Sequence, residues 1–432
     1  MIARLKALVH RRLGGGYGPL ARGLGAFGGA ELATRVVRLV ATVVIARRLA
    51  PDIVGEAALA LTIFEIVRVL ERTGTGQKIV AVPDDELAAT CNTANRLSWL
   101  WTMGLMGVQW LAAAGLALFA HRPVAAQILA VLALVYPFMA GGHVQYHLAL
   151  REGRTSQLAA ISGAQAIADH ILTALLLLIW PDPWSLALPK LLTAPQWLIM
   201  TRRARPWLRD AGAGHIPLRG MLRYSASILA AEAMVALRTQ GDNLIIAGTM
   251  GTTALGTYYF AFNAGLGIVS SLIGAFRQVA FSMLCAARDA AARVVALRRV
   301  LIGGVLAFVP VIALQSMAAA FYVPIIFGHK WAFAAPLIGT LCLAGLPLLA
   351  SAITASWLRA EGRVGSDAAS AALACAAALL GLFVGTRFGT LEAAAVGLVS
   401  GQALASAIYA VRVLGPALRN HVSSMRQEEI LT

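Results

Sequence analysis

Charge is scarce in this chain. Asp, Glu, Lys and Arg make up 13% of its 432 residues against 59% hydrophobic ones, more apolar material than a soluble core can use, which excludes an ordinary soluble domain. Acid is scarcer than base, 20 against 36, leaving a net charge of +16. In a soluble chain such a surplus would suggest nucleic acid; here membrane topology has to be considered first. Only four cysteines occur, Cys91, Cys285, Cys342 and Cys375. They are widely spaced and form no Cys-x-x-Cys pair, which excludes a disulfide scaffold and leaves them as free thiols in or near helices. No Gly-x-x-x-x-Gly-Lys-[Ser/Thr] loop is present, so ATP bound to this chain is not the energy source. The opening MIARLKALVHRR is followed by glycines rather than by an apolar stretch with a cleavage site, so a removed signal peptide is not expected.

What is abundant is apolar sequence in runs of about 20 residues, the length that spans a bilayer. Twelve such stretches are expected, near 23–46, 53–76, 97–119, 124–148, 157–180, 184–200, 224–247, 258–276, 300–322, 333–357, 368–385 and 392–411. Runs this long are helices, because lipid-facing backbone must bond within its own segment. With both termini inside, the cytoplasmic segments hold 25 Lys and Arg, while the opposite side holds five: Arg47, Arg48, Arg122, Lys330 and Arg387. That asymmetry sets the orientation. Trp99, Trp101, Trp180, Trp184, Trp207, Trp331 and Trp357 fall near expected helix ends, as interfacial anchors do. The longest gap between spans is 23 residues, at 201–223 and 277–299. No soluble catalytic domain fits, nor the large external loop that a membrane glycosyltransferase or polymerase needs.

The chain echoes itself at an offset of 201 residues. Glu31 lies over Glu232, Ile45-Ala46 over Ile246-Ala247, Gly55 over Gly256 and Gln77 over Gln278, with the hydropathy pattern in register. Glu152-Gly153-Arg154 after the fourth span is answered by Glu361-Gly362-Arg363 after the tenth. Six spans plus six in one orientation predict a pseudo-two-fold axis along the membrane normal, with the substrate path between the halves. The expected organisation is a cytoplasmic amphipathic N-terminus at 1–22, an N-lobe at 23–200, a basic cytoplasmic linker at 201–223, a C-lobe at 224–411 and a cytoplasmic tail at 412–432. On this reading the fold class is all-α, a polytopic membrane protein of about 12 transmembrane helices in two pseudo-symmetric six-helix lobes.

The stretch VVIARRLAPDIVGEAALALTIFEIVRVLERTGTGQKIV and its counterpart LIIAGTMGTTALGTYYFAFNAGLGIVSSLIGAFRQVAF resemble the opening helix pairs of Wzx-type oligosaccharide flippases. These belong to the multidrug/oligosaccharidyl-lipid/polysaccharide (MOP) exporter superfamily. IIFGHKWAFAAPLIGTLCLAGLP followed by LRAEGR is similar to that family's ninth-to-tenth span connection. The resemblance covers nearly the whole chain, and its motifs are hydropathy and glycine patterns. It implies a two-lobe alternating-access fold with a lipid-linked saccharide as cargo, and twelve spans fit this branch better than the fourteen of the lipid II flippases.

Charges inside the expected spans cost ~2.5–3.5 kcal/mol each at the centre of a lipid-exposed helix, so they should face protein or water. Glu31, Arg35 and Arg38 share one face of the first span, with Thr42 extending it. Glu65, Arg68 and the Glu71-Arg72 pair stack in the second, where opposite charges three or four apart can partly neutralise one another. Glu232, Thr239 and Asn243 share a face of the seventh, flanked by Arg238 and Asp242. The expected substrate-binding residues are Arg35, Arg38, Arg68, Arg72 and Arg238, because guanidinium matches pyrophosphate oxygens in bidentate geometry. The alternative is that such pairs lock helices together or snorkel to the interface. Glu31, Glu232, Asp242 and Glu65 are the candidates for proton or ion coupling, Glu232 foremost because no arginine follows it four residues on. Lys190 reads as interfacial or structural.

His143 and His147 are too few to make a zinc site and read as a polar face near the cytoplasmic interface. Asp169-His170 is a similar pair at mid-membrane depth. Gly25/Gly29, Gly381/Gly385 and Gly397/Gly401 have small-xxx-small spacing and read as helix packing rather than dimerisation. Pro137, Pro195, Pro310 and Pro347 should bend or break their spans. The N-terminal segment should lie on the anionic inner leaflet.

These readings converge on a transporter, not an enzyme. It would flip a polyprenyl-pyrophosphate-linked oligosaccharide across a bacterial inner membrane for surface polysaccharide synthesis. No cofactor is expected beyond a possible coupling ion, H⁺ or Na⁺. The expected partners are the lipid-linked oligosaccharide and membrane lipids, with a polysaccharide polymerase or export machinery as a further candidate and no nucleic acid. The rivals are a multidrug/cation antiporter of the same superfamily, which would want acids and aromatics rather than arginines facing its cavity, and a membrane-embedded glycosyltransferase or polymerase.

Overall fold

A computed structural model of the chain describes residues 34–72, 74–287 and 289–431. The N-terminal segment 1–22, Glu31 and the Gly25/Gly29 pair lie outside the described residues. Each expected span is mostly helical where it is described, and among the described residues there is no β-strand. The helices are α1 (34–48), α2 (Pro51–Val69), α3 (Thr75–Ala81), α4 (Leu87–Leu118), α5 (Pro123–Leu132), α6 (Tyr136–Arg151), α7 (Thr155–Ile179), α8 (Trp184–Ala204) and α9 (Leu218–Met250). They continue with α10 (Thr252–Ala264), α11 (Leu266–Cys285), α12 (Ala290–Met317), α13 (Ala319–Phe327), α14 (Ala335–Leu343), α15 (Gly345–Ala360), α16 (Val364–Thr386) and α17 (Leu391–Leu431). Seven helical stretches among the described residues are long and apolar enough to cross a membrane by themselves. The chain is an all-α polytopic membrane protein.

Several spans are interrupted where continuous helix was expected. The second ends at Val69, and its expected cytoplasmic part, through Arg72, lies in a break before α3. The fourth passes through a 3₁₀ turn at Ala133–Val135 immediately before Pro137, and the tenth breaks at Ala344 ahead of Pro347. Both prolines sit in the first turn of the following helix, where a missing N–H costs nothing. Pro195 and Pro310 instead lie inside α8 and α12. The eighth span is divided at Gly265, whose Cα approaches the Ile338 carbonyl so closely that a Cβ would come within 3.2 Å of that oxygen. The third begins ten residues earlier than expected, at Leu87.

Packing divides the described chain into two compact units. One holds residues 34–44 and Ile63–Ala233, the other Ile45–Thr62 and Met234 onward. The units do not coincide with the halves of the sequence: residues 45–62 pack within the second, and the 205–217 linker within the first.

In the first unit the linker is fastened from below. Asn92 Nδ2 donates to the carbonyls of Asp210 and Gly214, at 2.6 and 3.0 Å, and Thr93 Oγ1 accepts from the Ile216 N–H at 3.0 Å. Trp207 and Ile216 cover a core of Ile79, Cys91, Ala94, Val144 and Leu148. Arg205 hydrogen-bonds Glu152, which also pairs with Arg154 at 2.8 Å.

The second unit is built around Val269, Ile273, Leu297, Ile312, Ile353 and Trp357, with Leu414 of α17 closing one side. Small residues let backbones meet. A Cβ on Gly381 would lie 2.1 Å from the Gly397 carbonyl oxygen, and one on Gly401 2.1 Å from that of Ala377. The small-xxx-small stripes of the eleventh and twelfth spans therefore pack against each other within one chain. The repeat is also visible here: a Cβ on Gly55 would meet the Thr252 carbonyl at 1.9 Å, and one on Gly256 the Pro51 carbonyl at 1.9 Å. Partners 201 residues apart thus face one another reciprocally. Trp331, fully buried, donates Nε1–H to the Ala46 carbonyl at 2.7 Å, and Arg47 donates to the carbonyls of Ile325 and Ile326. The second echo is conformational: Gly153 and Gly362 both adopt φ 73°, the left-handed geometry that closes the helical hairpins after α6 and α15.

Two outcomes follow. Gly397→Val should lower the thermal midpoint of the detergent-purified protein, since overpacking costs ~1–3 kcal/mol; Gly104→Ala, where a Cβ meets nothing within 4 Å, should leave it unchanged. The Arg205 hydrogen bond, with Arg154 beside it, holds the Glu152 carboxyl below its ordinary range. A carboxylate depressed in the folded state stabilises above its unfolded pKa and loses that contribution as pH falls through the folded value. Amide exchange across residues 206–214 should therefore be faster in Arg205→Ala than in wild type at pH 7, and the difference should shrink as Glu152 is protonated.

Candidate functional site

The charges of the first unit that fall within the apolar runs of the sequence are gathered by four helices. Glu65 and Arg68 sit one turn apart on α2, and Arg68 Nε donates to Glu65 Oε2 at 2.9 Å. Lys190 of α8 lies between that carboxylate and Asp169 of α7, with Nζ 3.9 Å from Glu65 Oε1 and 3.4 Å from Asp169 Oδ2. Two acids and two bases thus alternate along one line. The second oxygen of Asp169, Oδ1, is buried without a hydrogen-bond partner among the described residues. Arg38 of α1 is exposed and within electrostatic reach of His170, which neighbours Asp169. Arg35 is half-buried one turn earlier, and Thr42 donates its hydroxyl back to the Arg38 carbonyl at 2.9 Å.

Arg72 and Glu71 part company in the break after α2. The Arg72 side chain is 60% exposed and reaches toward Glu232 of α9 at 3.7 Å, beyond hydrogen-bond distance. Glu232 Oε2 is buried there without a hydrogen bond among the described residues. A cation across the unit thus approaches the carboxylate that the α9 sequence leaves alone. Glu71 turns toward His143 of α6, Oε1 to Nδ1 3.5 Å.

In the second unit Asp242 is buried, accepting the Tyr258 hydroxyl at 2.8 Å on Oδ2 and the Asn243 N–H at 2.9 Å on Oδ1. Among the described residues it makes no ion pair. Arg238 is exposed one turn earlier on α9 and is electrostatically coupled to Arg277, near Arg359 and Asp367. Arg359 Nε binds Asp367 at 2.6 Å. Glu232 and Asp242, on one helix, fall in different units.

The structure therefore brings Glu65, Arg68 and Lys190 together with Asp169, and Arg72 with Glu232; it leaves Asp242 in a separate environment and does not describe Glu31. The sequence reading missed the bridging position of Lys190, although opposite charges on the antiparallel pair α7 and α8 were its signal. It also missed Tyr258 as the partner of Asp242, for which no local pattern exists. No group of three or more His, Cys, Asp or Glu able to hold a metal occurs among the described residues.

A bundle of apolar helices with broken spans and matched internal charge defines the class as an all-α polytopic membrane protein. The model of the family described as polysaccharide biosynthesis protein matches residues 44–336, and the chain belongs to that family. It is 23% identical over 321 residues to the succinoglycan biosynthesis transport protein ExoT of Rhizobium meliloti (strain 1021), a match spanning 71% of this chain but 62% of that protein. Among solved structures it resembles the inward-facing conformation of a MATE family multidrug resistance transporter of the MOP superfamily, with TM-score 0.70 and 14% identity over 91% of this chain and 96% of that one. It also resembles the lipid II flippase MurJ in an inward closed conformation, with TM-score 0.71 and 9% identity over 92% and 90% of the two chains. The Rhizobium meliloti relative is named as a transport protein, and the two solved structures as a transporter and a flippase.

Replacing Lys190 by Met should leave Glu65 and Asp169 facing each other without their shared cation. The expected result is a lower thermal midpoint, partly restored by Asp169→Asn in the Lys190→Met background. Partial exposure of these groups keeps the loss below the ~3–5 kcal/mol of a fully buried pair.

Proposed function

We propose that this transporter moves a polyprenyl-pyrophosphate-linked oligosaccharide from the cytoplasmic to the outer leaflet of a bacterial inner membrane, with both termini cytoplasmic, by alternating access. The observation that carries the reading is the collection of arginines of the first unit that fall within the first two apolar runs of the sequence. Arg38 and Arg72 present exposed guanidinium groups, Arg35 lies beside them in sequence, and Arg68 is anchored by Glu65. Guanidinium keeps its charge at any relevant pH and grips phosphate oxygens with paired donors. The prenyl tail would remain in lipid while the headgroup engages these side chains. The succinoglycan relative supports a glycan cargo; the MATE-like fold alone would equally suit a cation antiporter, but that cargo is poorly served by exposed arginines.

Arg35→Ala and Arg38→Ala should each abolish surface polysaccharide while the protein remains at wild-type level in the membrane, measured by glycan staining and immunoblot. Arg72→Ala should reduce export at least tenfold. Normal surface polysaccharide in both Arg35→Ala and Arg38→Ala would contradict the assignment.

A further inference from the structure

The linker between α8 and α9 is a fixed surface rather than a slack tether. Trp207 and Ile216 turn onto the core shared by α3, α4 and α6. Asn92 and Thr93 of α4 hold its backbone at Asp210, Gly214 and Ile216, and Arg205 is held by Glu152. Between these fixed points the chain turns Leu208, 89% exposed, and Arg209 outward. A lone exposed leucine is common at protein surfaces; what marks this one is its company.

That company is basic. Arg209 is the next residue, Arg203 ends α8, and Arg96 lies one turn along α4 from the Asn92 tether, all three exposed. Among the described residues none of the three makes an ion pair. The acids nearby are committed or remote. Asp210, the one acid in 202–217, turns its carboxylate back on the Gly212 N–H at 2.9 Å. Glu152 is taken by Arg154 and Arg205, and Asp84 by Arg151 at 2.7 Å. Asp85 and Glu86 precede α4, six or more residues before Asn92, which at the helical rise puts them ~9 Å farther from the span.

Depth along α4 decides what meets this face. The third apolar run begins near residue 97, just past Asn92, so the tether lies ~7 Å outside the hydrocarbon. The headgroup layer on each side of a bilayer is itself ~5–8 Å thick. Arg96 and Arg203 sit nearer still, at the edges of runs that begin near 97 and end near 200. Exposed Trp99 and Trp101 mark the same boundary. At that level guanidinium meets lipid phosphate with paired donors, and a leucine beside it can enter the acyl boundary.

We propose that the face formed by Arg96, Arg203, Leu208 and Arg209 docks on anionic phospholipid headgroups, with the bilayer itself as the partner that holds the linker. On the orientation proposed above, that leaflet is the cytoplasmic one, whose negative surface potential draws basic segments. The docking does not depend on the cargo.

The test is amide exchange across residues 206–214 of the full-length protein, in nanodiscs of phosphatidylcholine alone and in nanodiscs with one-third phosphatidylglycerol. Exchange should be at least threefold slower with the anionic lipid, and the difference should fade as salt is raised, because exposed charges are screened. The triple variant Arg96→Gln, Arg203→Gln, Arg209→Gln should lose the lipid response while exchanging as wild type does in phosphatidylcholine, and Leu208→Ser should weaken it. Equal exchange of the wild-type linker in the two lipids, the outcome expected if this face served a soluble protein, overturns the proposal without recourse to any variant. So does a slowing shared equally by α14, which carries no charged residue, since that would report general stiffening. Inorganic phosphate added to phosphatidylcholine discs should give no protection; protection as large as that from phosphatidylglycerol would overturn the bilayer as occupant. Arg38→Ala separates this inference from the cargo reading, since it should lose export while keeping the lipid response.

Discussion

Charge inside hydrocarbon must be answered by charge or by water, and that requirement organises the first unit. Each uncompensated ion at the centre of a lipid-facing helix would cost ~2.5–3.5 kcal/mol, an amount comparable to a sizeable share of a domain's whole stability. The alternation Arg68, Glu65, Lys190, Asp169 meets the demand by binding α2, α7 and α8 to one another. Nothing in that chain of contacts requires a ligand. Arg38 and Arg72 lie outside it and are exposed, and the proposed cargo assignment uses their charge.

The second unit solves the same solvent problem with shape. Its eleventh and twelfth spans carry glycines where backbones touch, at Gly381, Gly385, Gly397 and Gly401; of its buried carboxylates, Asp242 is held by a tyrosine hydroxyl and a backbone N–H, and Asp367 by Arg359. The two units thus differ in chemistry. The first concentrates ion pairs; the second concentrates close backbone contact and a core of aliphatic residues around Trp357.

Most of the helical architecture was legible in the sequence because apolar run length is dictated directly by the bilayer. The reciprocal contact of Gly55 and Gly256, and the matched left-handed Gly153 and Gly362, give physical form to echoes that composition alone left close to chance in so alanine-rich a chain. The break after Val69 was not legible: Leu70–Gly74 contains no proline, and only the partners of Glu71 and Arg72 on other helices reveal that the two side chains diverge. Pairing across helices is long-range information. Periodicity placed Glu65 with Arg68, three residues apart, but could not place Lys190 or His143.

The central claim is that the arginines of the first unit serve an anionic, lipid-linked saccharide headgroup. The most direct measurement is the composition and sidedness of polyprenyl-linked sugars in a strain lacking this gene. The account predicts that a completed lipid-linked oligosaccharide accumulates on the cytoplasmic face, inaccessible to glycan-modifying reagents added outside spheroplasts, and that it clears when the wild-type chain is restored. Unchanged levels of lipid-linked sugar, or accumulation of the oligosaccharide already exposed on the outer face, would contradict it.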